Sequence, residues 1–370
     1  LFVCFISLLY GNIGYFEGII FDLIFISKGR LMNFDELIDE FRYLGGVFKN
    51  LRLETNAKTG SGLFVINPSK KFEIIVPVNL MISIDMIRLD RHQQVIVNKK
   101  SIWSNRTKKF FENYQKYFGW GLDGFEKTLE TQSALQYLPN ELIQHLLIFG
   151  LSDDFNADLN PQFCLQKYFL SRKILSNGIS KIMPIMELLN HSDDGHPFLI
   201  SNGIKCSGFS NSEVFARYHH MIDGFDFFQI YNFANEAKLA LSCNTSINIP
   251  EIGKISIIRT TIKKPKFKSL FKGQITKRKG INFYDVELAN ALKPNKPLVK
   301  FNKLCEKYNI NKEMSQTIFK GLLKHNIIAL NKCLQMTIGK DAKLLNEIEN
   351  ISRNQLKILQ DQCKFHNFYL

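Results

Sequence analysis

Apolar and polar positions change period several times along the chain, and each change predicts an element. Phe34, Leu37, Ile38, Phe41 and Leu44 fall three and four apart, so a helix is predicted over 34–50. Gly60-Ser61-Gly62 precedes an apolar run that breaks at Pro68, and Phe72 to Pro77 is a second run, which reads as strand, turn, strand. Residues 84–166 read mostly as helix and loop, with Pro139 suited to a first helical turn. Short strands are predicted at 198–201, 203–208 and 213–218, with Asn202-Gly203 as a tight-turn signal. A helix is predicted over 223–241, a basic linker over 243–282 and helices over 283–370, where Leu322, Leu323, Ile327 and Ile328 make one apolar stripe. The fold class is α+β.

Leu1 to Ile26 is apolar but holds Glu17 and Asp22. A membrane span needs about 20 uninterrupted apolar residues, and a carboxylate at the bilayer centre costs a few kcal/mol. A cleaved leader should begin with positive charge and end in small residues, and neither is present. The expectation is that 1–31 is an extension translated upstream of a start at Met32, with a membrane anchor as the competing reading. A membrane role for the rest is not expected.

A chain of 370 residues has room for two domains. The formal net charge of +14 favours an acidic partner without choosing one. Ten Lys and Arg fall between Lys254 and Lys279 with no acidic residue among them. That run is either a solvated linker or a patch for an acidic protein or nucleic acid. The 7 cysteines are scattered without a Cys-x-x-Cys pair, so neither a zinc site nor a disulfide framework is expected. A reducing cytoplasm follows, or the nucleus in a eukaryotic source. No metal is expected: His191 and His196 do not share a helix face, and His219-His220 point apart. No Ser-His-Asp pattern, phosphate loop or paired nucleotidyl-transfer carboxylates are present.

The chemistry concentrates between Ser171 and Phe233. There Ser171-Arg172 is followed by an apolar run through Glu187 to Asn190-His191, then by Tyr218 and by Tyr231-Asn232-Phe233. Singly, each piece has an ordinary reading. Asn and His cap turns, an Arg after Ser is a surface charge, and a tyrosine in an apolar helix is core with its hydroxyl satisfied. As an ordered series they resemble the SET-domain protein methyltransferases of the Rubisco large-subunit lysine N-methyltransferase type. One departure is Asn232, where most relatives carry Gly. Asn tolerates left-handed backbone angles.

The resemblance implies a SET fold, with small sheets and a knot-like C-terminal segment, a helical insert and a helical C-terminal domain. The implied division is 1–31 extension, 32–90 start of the SET domain, 91–167 insert, 168–242 second half of the SET domain, 243–282 basic linker and 283–370 helical domain. It implies transfer of a methyl group from S-adenosylmethionine to a protein lysine, with histidine as an alternative target. The competing class is a SET fold that has lost catalysis and binds an acidic protein or nucleic acid. Gly60, Ser61, Gly62, Ser171, Arg172, Glu187, Asn190 and His191 would hold the donor. Tyr231 would place its hydroxyl near the transferring methyl, and Tyr218 would line the lysine channel.

Overall fold

The computed structural model describes residues 32–56, 60–98, 101–151, 157–176, 178–219, 222–250, 252–260, 273–276, 280–339 and 342–368. The expectation for 1–31 lies outside these residues.

The chain opens with helix α1 (Phe34–Tyr43), capped by the Asn33 side chain on the Glu36 N–H, with Glu36 reaching back to Asn33. It ends earlier than the periodicity predicts, because Gly45 takes φ +93° and turns the chain into a strand. Strands β1 (Val47–Lys49), β2 (Leu51–Asn56), β3 (Gly60–Val65) and β4 (Phe72–Pro77) follow. In β4 Phe72, Ile74 and Val76 point inward at 0% exposure, the period-2 pattern of a half-buried strand. Short strands β5 (Ile82–Ser83), β6 (Ile87–Leu89) and β7 (Val95–Val97) come next. Strands therefore continue past residue 84, where mostly helix and loop was expected. Helices begin only with α2 (Asn105–Phe118), α3 (Phe125–Gln136), α4 (Asn140–Ile148) and α5 (Pro161–Leu170).

After α5 come β8 (Lys173–Ser176), β9 (Ile179–Ile182), β10 (Asn190–Pro197), β11 (Leu199–Ser201), β12 (Gly203–Gly208) and β13 (Phe215–Arg217). The central sheet has the order β1-β4-β12-β11, antiparallel throughout. β10 and β13 pair in parallel, Asn190 against Phe215 and His191 against Ala216. That pairing brings two motifs distant in sequence side by side.

Helix α6 (Gly224–Tyr231) is shorter than the predicted 223–241. Asn232 takes the left-handed conformation at φ 61° and ends the helix, so Tyr231 is its last residue. A loop then leads to β14 (Leu239–Leu241). The stretch expected as a basic linker instead contributes β15 (Thr245–Ile249), β16 (Gly253–Ile258), β17 (Gly273–Thr276) and β18 (Gly280–Tyr284) in one sheet of order β15-β16-β18-β17. Ile255 and Ile257 alternate into the core at 0% and 1% exposure, which holds the sheet despite its lysines. β19 (Glu287–Asn290) pairs with β14 before the C-terminal helices α7 (Lys296–Glu306), α8 (Lys312–Thr337) and α9 (Lys343–Phe365). Strands thus precede the helices predicted over 283–370. No described helix is long and apolar enough to cross a membrane.

Three cores result. One lies under α1 and the central sheet, one under the β5–β9 region and α5, and the largest gathers α4, the β15–β18 sheet and α7–α9. Helix α6 joins them: Phe225 and Phe228 bury in the C-terminal core, while Phe227 turns to His191 and Tyr231 at ring distances of 4.8 and 4.5 Å.

Candidate active site

Five backbone features converge on one cavity of about 300 Å³. They are the end of α5, a single 3₁₀ turn at Met186–Leu188, the start of β10, and the ends of β13 and α6. Ser171, Arg172, Glu187, Asn190, Tyr218 and Tyr231 all line it. Six of the ten residues singled out in the sequence therefore share one space, although the outermost, Ser171 and Tyr231, lie 60 positions apart.

The cationic wall is fixed. Arg172 follows α5, stacks its guanidinium 3.8 Å from the centre of the Tyr168 ring and donates from Nη1 to Tyr168 O (3.2 Å) and Ser171 Oγ (2.9 Å). Ser171 Oγ donates in turn to Tyr168 O at 3.0 Å. A stacked, tethered guanidinium loses little freedom when it meets an anion.

Opposite charge is supplied by Glu187. Ile185 takes φ 70°, a left-handed conformation costly for a β-branched residue, and the 3₁₀ turn that follows swings Glu187 inward. Glu187 Oε1 accepts from Gln115 Nε2 at 2.9 Å, while Oε2 is buried without a hydrogen-bond partner. Burial raises this carboxyl to about 7, against the opposing pull of Arg172. Tyr114 Oη is likewise buried without a partner in hydrogen-bond geometry, and burial first, then the Glu187 charge beside it, pushes its pKa well up.

The raised carboxyl makes stability depend on pH. The folded state holds a proton that the unfolded chain releases near 4.5, so the contribution is full below 4.5 and is lost as pH rises through about 7. Wild type should lose about 3 kcal/mol of stability across that window relative to Glu187→Gln. Urea unfolding of both proteins at several pH values checks this: the two curves should diverge as pH rises, and parallel curves would show an ordinary Glu187.

Asn190 donates from Nδ2 to Ser61 O (3.1 Å) and to Glu213 Oε1 (2.7 Å). Gly62 has to be glycine for this pair, since a Cβ there would stand 2.5 Å from Glu213 Oε1 and 2.8 Å from Asn190 Nδ2. Ser61 and Gly62 thus touch the site through Asn190 and do not line the cavity. Gly60, at φ +75°, has among the described residues only Lys127 Nζ nearby, 3.8 Å from where a Cβ would be.

His191 sits behind the cavity, its side chain 5% exposed, with ring centroids 5.0 Å from Tyr218 and 4.8 Å from Phe227. Nδ1 accepts from the Tyr218 N–H at 3.3 Å, and Nε2 lies 3.4 Å from Asp193 Oδ1 without hydrogen-bond geometry. Its ring therefore packs between Tyr218 and Phe227.

The two tyrosines differ. Tyr218 Oη donates to Leu189 O at 2.6 Å, and burial pushes its hydroxyl up to about 12. Tyr231 packs its ring 5.0 Å from that of Tyr218. Its hydroxyl makes no hydrogen bond among the described residues, and burial raises its pKa too. The unclaimed hydroxyl is therefore on Tyr231.

Sequence reasoning missed Tyr114, Gln115, Tyr168, Glu213 and Phe227. Gln115 alone left a trace, a polar residue on the buried stripe of α2. His196 packs edge-on against Phe72 at 4.9 Å, and no cluster of metal-binding side chains occurs among the described residues. Of the basic run, 261–272 and 277–279 lie outside the described residues. Arg259 leaves the proposed acidic-partner patch, because its side chain is 0% exposed and bonded to Asp223 and Asp226.

No family model and no curated protein matches the chain. Among solved structures it is similar to the SET domain of LSMT bound to lysine and AdoHcy, at 14% identity over 90% of each chain with a TM-score of 0.41. It is similar to Rubisco LSMT bound to AdoMet at 12% identity, covering 90% of this chain and 91% of that one, with a TM-score of 0.40. A third, the SET domain of LSMT bound to methyllysine and AdoHcy, has 12% identity, the same coverage and a TM-score of 0.45.

Proposed function

We propose that the chain is an S-adenosylmethionine-dependent protein methyltransferase of the SET type, acting on lysine. The observation that carries the reading is the single cavity in which a tethered guanidinium, a buried carboxyl with an unpartnered oxygen and a cavity-lining amide stand beside two tyrosines. An amino-acid head with both charges fits this donor set. Arg172 suits its carboxylate. Glu187 suits its ammonium, and a bound cation would draw the Glu187 proton off.

S-adenosylmethionine supplies the activated methyl group. The chain's own residues supply the rest. Arg172, Glu187 and Asn190 fix one end of the donor, and orientation of this kind is worth roughly 7–11 kcal/mol of a barrier. Phe198, Tyr218, Tyr231 and Phe233 line the same cavity and exclude water. An apolar aromatic wall disfavours an ammonium, so a lysine entering it gives up its proton more readily than in water. Tyr231 Oη is free to accept or donate at the reacting nitrogen, a task the Leu189-bound hydroxyl of Tyr218 shares less easily.

Six described cysteines are buried and unpaired, which fits a reducing compartment such as the cytoplasm. The partner is a protein that presents a lysine.

Transfer of labelled methyl from the donor to lysine-bearing proteins tests the reading. Wild type should label lysine. Tyr231→Phe should cut the rate about 100-fold while donor binding stays intact. Donor binding with no transfer to any protein would move the chain to a non-catalytic class, and full transfer by Tyr231→Phe would remove that hydroxyl from the chemistry.

A further inference from the structure

Glu213 lies outside every motif that marks the site, yet it is 7% exposed and bonded to Asn190. Its placement is rigid. The residues on either side are tied to β3, Ser212 O accepting from the Val65 N–H at 3.0 Å and the Val214 N–H donating to Leu63 O at 2.7 Å. Its own carbonyl accepts from Ser210 Oγ at 2.9 Å.

The orientation of the Asn190 amide follows from its neighbours. Ser61 O is a backbone carbonyl and can only accept, so the Asn190 atom facing it is Nδ2. The second N–H of that nitrogen goes to Glu213. Both amide hydrogens are then used, and Oδ1 makes no hydrogen bond among the described residues. Asn190 lines the cavity, so what it offers a ligand is an acceptor.

We propose that Glu213 is a positioning residue that locks the Asn190 amide with its oxygen toward the cavity, so that Asn190 reads the α-ammonium of the methyl donor and not its carboxylate. The inference rests on the donor reading above and sharpens it. Arg172 takes the carboxylate, while Glu187 and Asn190 Oδ1 together select a protonated amine. Gly62 is the third part of the lock, because its missing Cβ leaves room for the pair.

Calorimetric binding of two ligands tests it, S-adenosylhomocysteine and its analogue lacking the α-amino group. Wild type should prefer the first by about 10-fold or more, the discrimination a site built for one polar group achieves when that group is missing. Asn190→Ala and Glu213→Ala should each lower the ratio to what Glu187 alone provides, and the double variant should lose no more than either alone. Glu213→Gln keeps an acceptor for Nδ2 and should keep the ratio. A Glu213→Ala protein that weakens both ligands equally, or a Glu213→Gln protein that erases the ratio, overturns the positioning role. Wild type that binds both ligands alike overturns it and the ammonium role of Glu187, while Arg172 keeps the donor's carboxylate. Wild type that binds neither ends both.

Discussion

Arg259→Ala should cost the fold about 3–5 kcal/mol, the usual penalty for breaking a buried ion pair from one side. Arg259 Nη2 donates to Asp223 Oδ1 and, at 2.9 Å, to Asp226 Oδ1, with no exposed surface on the arginine side chain. Without the guanidinium two carboxyls remain together in a dry core. Burial already raises Asp226 to about 6 against the pull of Arg259, and without the guanidinium this acid would hold its proton more firmly still. The loss should therefore shrink as pH falls toward 6 and below, since a protonated Asp226 needs no counter-charge. Asp223 also accepts from the Phe225 and Leu241 N–H groups, so the cluster ties β16, the start of α6 and β14 together. Because α6 ends in Tyr231, the site should loosen with it. Denaturant midpoints at pH 5 and pH 8 check this; a loss under about 1 kcal/mol at both would mean that the cluster is not holding α6.

Arg172→Ala should weaken donor binding by about 100-fold, corresponding to the loss of charge-assisted hydrogen bonds worth about 3 kcal/mol. The effect on folding should be smaller, for a specific reason. Glu187 is the charge that Arg172 opposes, and it already sits near neutrality at about 7. When the arginine is removed Glu187 keeps its proton, so no uncompensated charge is buried. The expected pattern is a well-folded variant, a Glu187 carboxyl raised further, and lost binding. Titration calorimetry at pH 7.5 gives the affinity, and circular dichroism gives the fold. Unchanged affinity would take Arg172 out of the donor site.

Much of the site was legible because its parts are short local signatures. Ser171-Arg172, Asn190-His191, Tyr218 and Tyr231 stand out through the family resemblance of their order, and the cavity joins all of them except His191, which packs directly behind it. The support behind them was not legible. Gln115 lies 72 positions from the Glu187 it bonds, and nothing local connects the two. Glu213 reads as the polar start of a strand until β3 is laid against it. In the fold, the run of lysines between 254 and 279 hid the alternation of Ile247, Ile249, Ile255 and Ile257, so charge suggested a linker where period suggested a sheet. The end of α6 depended on one backbone conformation, that of Asn232, which an apolar periodicity running on to Leu241 does not register.

Thermal unfolding of the full chain with and without S-adenosylmethionine tests the central claim most directly. A donor present at about 100 times its dissociation constant should stabilise the protein by roughly 2.7 kcal/mol. The midpoint should rise by a few degrees in wild type and stay put in Arg172→Ala. A well-folded wild type whose midpoint does not move at saturating donor would contradict the account, because the charged walls of the cavity would then have been built for something else.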